Sequence, residues 1–338
     1  MKAIDIHGHY LPKLTLDRVE AASSRFPHVK VKKSVEGLYS LQLGSESWTR
    51  PIRPDLMDFD KRDDVLESCK INAQLNAGWL DIYGYSLPPE EGAEWSRLLN
   101  DALIESVSDH KGKIKYFTLA TVPLQDGLLA AKELKRALET GHKGVMIGTY
   151  ISGLEAGIDL DDPGLEPFWE AAEELEAPVF LHPVFSGSDP RTTKWQLVNA
   201  LARPYETALS AVRVLYSGVP HRHKKLKLIL SHGGGALPFL MGRIQRNYEL
   251  LSAKSEEVFN PIEGFQQLYF DSVLFSPKSL NFLLSLTSSD KVMLGSDIPF
   301  PIGDFSLRSI VENNKKLNED EKLNIMCRNA AEIFKLEL

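Results

Sequence analysis

Asp5-Ile6-His7-Gly8-His9 sets two imidazoles two residues apart near the start of the chain. On an extended chain, residues two apart point to one face, so Asp5, His7 and His9 share a direction while Ile4 and Ile6 take the other. Two imidazoles leaving one strand together can bind one metal ion. Three further apolar runs end on residues of the same kind: Val179-Phe180-Leu181-His182, Leu228-Ile229-Leu230-Ser231-His232 and Val292-Met293-Leu294-Gly295-Ser296-Asp297. If these runs are strands of a parallel α/β barrel, their C-terminal ends open at a common mouth, where such folds carry their chemistry. His182, His232 and Asp297 then join the His-x-His pair as imidazoles and a carboxylate directed at one point. A binuclear site would want a bridging ligand, often a carbamylated lysine, at the end of the fourth strand. That run reads Gly144-Val145-Met146-Ile147-Gly148-Thr149, with Lys143 before it. A mononuclear site with an open coordination position is expected, able to activate water or to bind a substrate oxygen.

Other histidines fall elsewhere. His221-Arg222-His223 precedes the sixth run in a basic stretch with Lys224 and Lys225, at the opposite end of the barrel, and reads as solvated surface. His28, His110 and His142 fall in the irregular N-terminal stretch or ahead of strands, where structural or exposed roles are expected. Gly233-Gly234-Gly235 lacks the spacing of a phosphate loop and reads as a tight turn between strand and helix.

The elements that must position these groups follow an alternating pattern. Strand candidates cover residues 2–6, 71–77, 115–122, 144–148, 178–182, 225–231, 268–273 and 291–295. Between them lie helix-length stretches such as 127–140 and 165–176; in the first, Leu128, Ala131, Leu134 and Leu138 recur at helical spacing. Strands alternating with helices in this number predict an α/β fold, a (β/α)8 TIM barrel. The rhythm breaks over residues 14–53, where Val29, Val31, Leu41 and Leu43 alternate as in short strands, so a small β-rich insertion after the first strand is expected. The Pro-rich stretches near residues 50–54 and 86–89 are too short for interdomain linkers, leaving residues 1–338 as one domain.

Composition bounds the partners. The chain has 338 residues, 39 Lys and Arg against 46 Asp and Glu, and a formal net charge of −7, which excludes the basic footprint of a nucleic-acid binder. An anionic ligand must then be held by locally placed arginines. The two cysteines, Cys69 and Cys327, form no paired motif; no apolar run reaches membrane-span length, and no apolar stretch of the secretory kind follows Met1. A cytoplasmic location with no membrane partner is the expectation.

These motifs resemble the metal-dependent amidohydrolase superfamily. More narrowly, His232-Gly-Gly-Gly-Ala-Leu-Pro-Phe-Leu-Met-Gly-Arg243-Ile, Leu294-Gly-Ser-Asp-Ile-Pro-Phe-Pro301 and Arg328-Asn-Ala-Ala are similar to its decarboxylase-like branch, the α-amino-β-carboxymuconate-ε-semialdehyde decarboxylases and their relatives. The resemblance implies that His7, His9, His182 and Asp297 hold one divalent ion, usually Zn2+, with His232 as the acid/base residue beside a metal-bound water. It implies a homodimer in which Arg243 reaches the neighbouring site, and places Arg50, with Arg53 as its close competitor, at a substrate carboxylate. Where the family carries aromatic residues around the positions of Gln196 and Asn199, this chain offers Trp195 at a one-residue offset as the substrate-lining aromatic. The expected activity is that of a zinc-dependent carboxy-lyase, decarboxylating aminocarboxymuconate semialdehyde or a related conjugated or aromatic acid. A hydrolase or hydratase acting on an amide, lactone or C–C bond is the alternative, distinguished by turnover without carbon dioxide.

Overall fold

Runs such as Val145-Met146-Ile147 and Leu228-Ile229-Leu230 are apolar at consecutive positions, which only a strand covered on both sides tolerates. The computed structural model, which describes residues 2–152, 157–184 and 189–337, buries them on both sides. Its strands in chain order are β1 (Ile4–His9), β2 (Val29–Lys33), β3 (Tyr39–Leu43), β4 (Ala73–Ala77), β5 (Lys115–Thr118), β6 (Val145–Gly148), β7 (Tyr150–Ile151), β8 (Ile158–Asp159), β9 (Pro178–His182), β10 (Lys227–Leu230), β11 (Tyr269–Asp271) and β12 (Val292–Met293). Parallel pairing runs β1-β4-β5 and β6-β9-β10-β11-β12. A parallel bridge between Ala120 and Val145 joins the two groups. The other seam closes where the Ile6 N–H donates to Leu294 O at 2.9 Å and Gly8 bridges Ile298. Eight parallel strands thus form the predicted (β/α)8 TIM barrel, with helices between them.

Most hydrogen-bonded strands are shorter than the expected runs, but β9 matches its run and β1 extends to His9, past the expected end at residue 6. The last one spans only Val292–Met293, because the chain then turns into the loop that carries Asp297. The helix Gly127–Glu139 is capped by Asp126, which accepts the Leu129 N–H at 2.9 Å. It buries Ala130, Leu134 and Ala137, whereas Leu128, expected in the buried stripe, is 70% exposed. The buried stripe is phased on Gly127, which puts Leu128 on the opposite face.

Within residues 14–53, a helix (Lys13–Ala21) precedes an antiparallel hairpin of β2 and β3, in which Val29 faces Leu43 and Val31 faces Leu41. Leu41 and Leu43 are buried in a second apolar cluster with Phe26, Ile52, Trp79 and Trp95. The hairpin is thereby fastened beside the barrel mouth, and the segment following it brings Arg50 and Arg53 there. The reading of His221 and His223 as solvated surface is corrected. His223 is buried, its two ring nitrogens bonded to Glu166 and Glu173, and His221 is half-buried, its Nε2 3.4 Å from Glu263 Oε2. Among the described residues, no helix is long and apolar enough to cross a membrane.

Candidate metal centre

β1 carries His7 and His9 into the barrel mouth, and Gly8 between them has a steric reason. A Cβ there would lie 2.5 Å from Gln74 Cδ and 2.9 Å from Asn76 Oδ1. The pairing with β4 slips by one residue between Asp5 and Gly8, a bulge of the kind that re-aims side chains. Asp5 fastens the segment from inside. Its carboxylate accepts the His7 N–H, the Ser296 N–H and hydroxyl, and the Gln74 amide, all between 2.5 and 3.0 Å, tying β1 to the loop after β12. Asp297 follows in that loop, with its N–H donating to His7 O at 2.8 Å. Both Asp297 and His232 have positive φ, 62° and 54°, the left-handed region that non-glycine residues adopt at a cost and that clusters at functional sites.

The Nε2 atoms of His7, His9 and His182 and a carboxylate oxygen of Asp297 lie within 4.8 Å of one another, and all four residues are buried. Each imidazole has its other nitrogen engaged. His7 Nδ1 donates to Asp271 Oδ2 at 2.6 Å, His9 Nδ1 to Gly78 O at 3.3 Å and His182 Nδ1 to Pro183 O at 3.2 Å. With the proton assigned to Nδ1 by these acceptors, every Nε2 presents a lone pair to the common point. Like poles then face each other: His7 Nε2 and His9 Nε2 are 3.2 Å apart, and His182 Nε2 and Asp297 Oδ1 are buried without a hydrogen-bond partner. Acceptors gathered in this way fit a cation, and three imidazoles with one carboxylate form a donor set suited to a first-row divalent ion.

Electrostatics agree at two of the three imidazoles, whereas at His7 burial is outweighed by the Asp297 and Asp271 carboxylates, which raise it. Burial pushes the His182 imidazole well below its ordinary value and lowers His9, keeping both neutral as ligands must be. Burial alone would raise the Asp297 carboxyl, but His7, with His182, His232 and His9, outweighs it and holds the group well below the carboxylate range. Burial likewise opposes ionisation of Asp271, and His7 reverses it.

His232 stands beside the cluster, with Nε2 3.4 Å from Asp297 Oδ2 and Nδ1 buried without a partner. The three glycines after it all have positive φ and form the expected tight turn; a Cβ on Gly235 would lie 2.2 Å from Pro204 O. A cavity of about 680 Å3 opens over the centre, lined by His182, His232 and Asp297 together with Arg50, Arg53 and Arg203. Arg50 pairs with Asp81 at 3.3 Å, and Arg53 pairs with Asp55. Trp195 is 83% exposed and lies outside this lining, whereas its neighbour Gln196 and Asn199 are part of it. Arg243, on the helix Leu237–Ser252, is exposed and likewise lies outside the cavity.

Two residues at the site escape sequence reasoning. Asp271 ends β11 as His182 ends β9, and its strand-end carboxylate was the available signal. Arg203 opens the helix Arg203–Tyr216, and only its Arg-Pro start marks it as the first turn of a helix facing the mouth.

The sequence profile of the amidohydrolase family matches residues 4–336. The chain is 30% identical to 2-amino-3-carboxymuconate-6-semialdehyde decarboxylase of Dictyostelium discoideum, over 99% of this chain and 92% of that protein. Among solved structures, it superposes on 5-carboxyvanillate decarboxylase from Sphingomonas paucimobilis with a TM-score of 0.78 and 22% identity, covering 99% of both chains. A dihydroxybenzoic acid decarboxylase from Polaromonas sp. JS666, with bound manganese and the inhibitor 2-nitroresorcinol, gives a TM-score of 0.76 and 21% identity over 99% of this chain and 97% of that one.

Proposed function

The chain belongs to the amidohydrolase family, and from that premise we propose that it is a metal-dependent, non-oxidative decarboxylase of a conjugated or aromatic carboxylic acid. The observation that carries this reading is the convergence of His7, His9, His182 and Asp297 beside His232 in a cavity lined by arginines. Aminocarboxymuconate semialdehyde is the first substrate to test, because the Dictyostelium relative matched over nearly all of both chains is named for it.

A divalent ion held by the four ligands would supply Lewis acidity toward substrate oxygens and lower the pKa of a coordinated water. The histidine-rich donor set favours zinc, with manganese as the ion to compare. His232 holds the proton that goes to the carbon bearing the carboxylate. The bond to the carboxylate carbon then breaks, its electron pair returns to the conjugated system, and carbon dioxide leaves. Asp297 keeps the His232 ring oriented through the contact at Nε2. Arg50, with Arg53 beside it, draws the substrate anion into the mouth, since a guanidinium can grip a carboxylate through two parallel hydrogen bonds. Trp195 is retained as a substrate-side aromatic and Arg243 as a contributor to the site of a second copy; their exposure supports contact across a homodimer. Residues 1–338 are read as one domain with 14–53 inserted, and the two free cysteines support a reducing, cytoplasmic setting.

The test follows carbon dioxide release and ultraviolet decay of freshly generated aminocarboxymuconate semialdehyde, then 2,6-dihydroxybenzoate, with metal-loaded protein. Release that disappears in His232→Ala, with about one ion still bound per chain, is expected. Turnover of these acids without carbon dioxide would replace the decarboxylase with the hydrolase or hydratase.

A further inference from the structure

Arg50 and Arg53 each have a protein carboxylate at hand, but Arg203 does not. Its Nε donates to Asn199 Oδ1 at 3.1 Å and one Nη to Pro183 O at 3.1 Å, both neutral acceptors. Among the described residues, no carboxylate lies within 4.0 Å of it, and its second Nη has no protein acceptor. The group is half-buried, beside His232 and Asp297, at the seam of the 680 Å3 cavity and an adjoining one of about 460 Å3 lined by Val273, Leu274 and Phe275. Burial pulls its pKa down, Asp81 and Asp297 offset that in part, and the charge of Arg50 adds to it to a smaller degree.

A half-buried cation whose hydrogen bonds go only to neutral acceptors leaves its remaining donor open to an anion. Gln196, Asn199 and Arg203 all line the larger cavity, with Gln196, at φ 57°, standing outside the helix that Arg203 opens. The stretch includes a π-helical turn over Val198–Ala202, a distortion often found at functional sites. Polar side chains therefore adjoin the guanidinium along this wall of the cavity.

We propose that Arg203, supported by Asn199 and Gln196, forms an anion subsite of its own, which selects substrates carrying a second carboxylate besides the one at the metal centre. This deepens the decarboxylase reading and rests on it for the placement of the first carboxylate. The subsite makes Arg203 a specificity-determining residue, with the pinned side of its fork fixing the direction in which the free side can bind.

Matched pairs of acids test it by calorimetry on the zinc-loaded protein. Muconate against sorbate, and benzene-1,3-dicarboxylate against 3-methylbenzoate, differ by a carboxylate in place of a methyl group. At least one diacid should bind about tenfold or more tighter than its partner. Arg203→Met should abolish that preference, with the diacid losing at least about ten times more affinity than the monoacid, and Arg203→Lys should retain part of it. Because Pro183 O also accepts from His182, metal content and Tm of each variant are measured alongside. Equal affinities within both pairs, no binding of either diacid, or a preference that survives Arg203→Met in a folded, metal-loaded protein would overturn the subsite. Carbon dioxide release is scored separately. A preference lost in Arg203→Met with no release from any acid leaves the subsite standing and removes the decarboxylase. Release with KM indifferent to the second carboxylate does the reverse.

Discussion

The His7 imidazole is aimed by Asp271, whose other oxygen accepts the N–H groups of Gly233 and Val273 at 2.9 and 3.1 Å. One carboxylate thus fixes a candidate ligand, the turn after His232 and the end of β11. Asp271→Asn keeps an acceptor but loses the charge that supports the His7 ring, and should weaken metal binding about 10- to 100-fold with little change in the fold. Competition with a metallochromic chelator reads this directly; unchanged affinity would make Asp271 a purely structural strut. At this scale, the sequence was most legible where chemistry and strand periodicity coincide, as in His7-Gly8-His9. It was least legible at Arg203, because a lone arginine at a helix start looks the same whether it meets solvent, a carboxylate or a cavity.

Whole elements were read more securely than their edges. Apolar runs locate all eight barrel strands, since consecutive buried positions leave little alternative, but the strands end where the chain peels away to carry ligands, and no pattern marks that point. Leu128 shows the converse error: helical spacing alone leaves the phase of the stripe open, and the buried face is set by Gly127, Ala130, Leu134 and Ala137. The turn after His232 is more sharply constrained. Gly235→Ala would place a methyl group against Pro204 O in a conformation at φ 60°, ψ −123° that alanine resists. A loss of about 2 kcal/mol or more is expected in denaturant unfolding, together with reduced turnover, because Pro204 adjoins Arg203. His142, packed behind the helix Gly127–Glu139, sets an acid limit. Burial holds its imidazole down to about 4 from the ordinary 6.5, so between those values the unfolded chain binds a proton that the folded chain refuses. Stability from this group is full above pH 6.5 and falls as the pH drops through the window, by about 3 kcal/mol at the bottom. His142→Leu should flatten that part of the stability–pH curve; an unaltered slope would assign the acid sensitivity to other groups.

For the whole molecule, an ion bound at the candidate centre would also be a clasp, because the donors come from β1, β9 and the loop after β12. Stripping the ion with a chelator should lower Tm by several degrees. A hundredfold excess of ion over Kd corresponds to about 2.7 kcal/mol; a Tm indifferent to chelation would mean that the barrel closes equally well without it. Partnership between copies is tested by mixing an Arg243→Ala chain with a His232→Ala chain. Partial recovery of carbon dioxide release is expected if sites are shared, and none from demonstrated mixed dimers would confine Arg243 to its own subunit.

The barrel seam adds a constraint on biosynthesis. Asp5 and Ser296 are joined across 291 positions, and Asp297 bonds back to His7. A nascent chain still on the ribosome holds His7 and His9 long before their carboxylate partner, which follows His9 by 288 positions. Products ending before Asp297 would therefore carry an incomplete donor set and should hold an ion more weakly than the complete one.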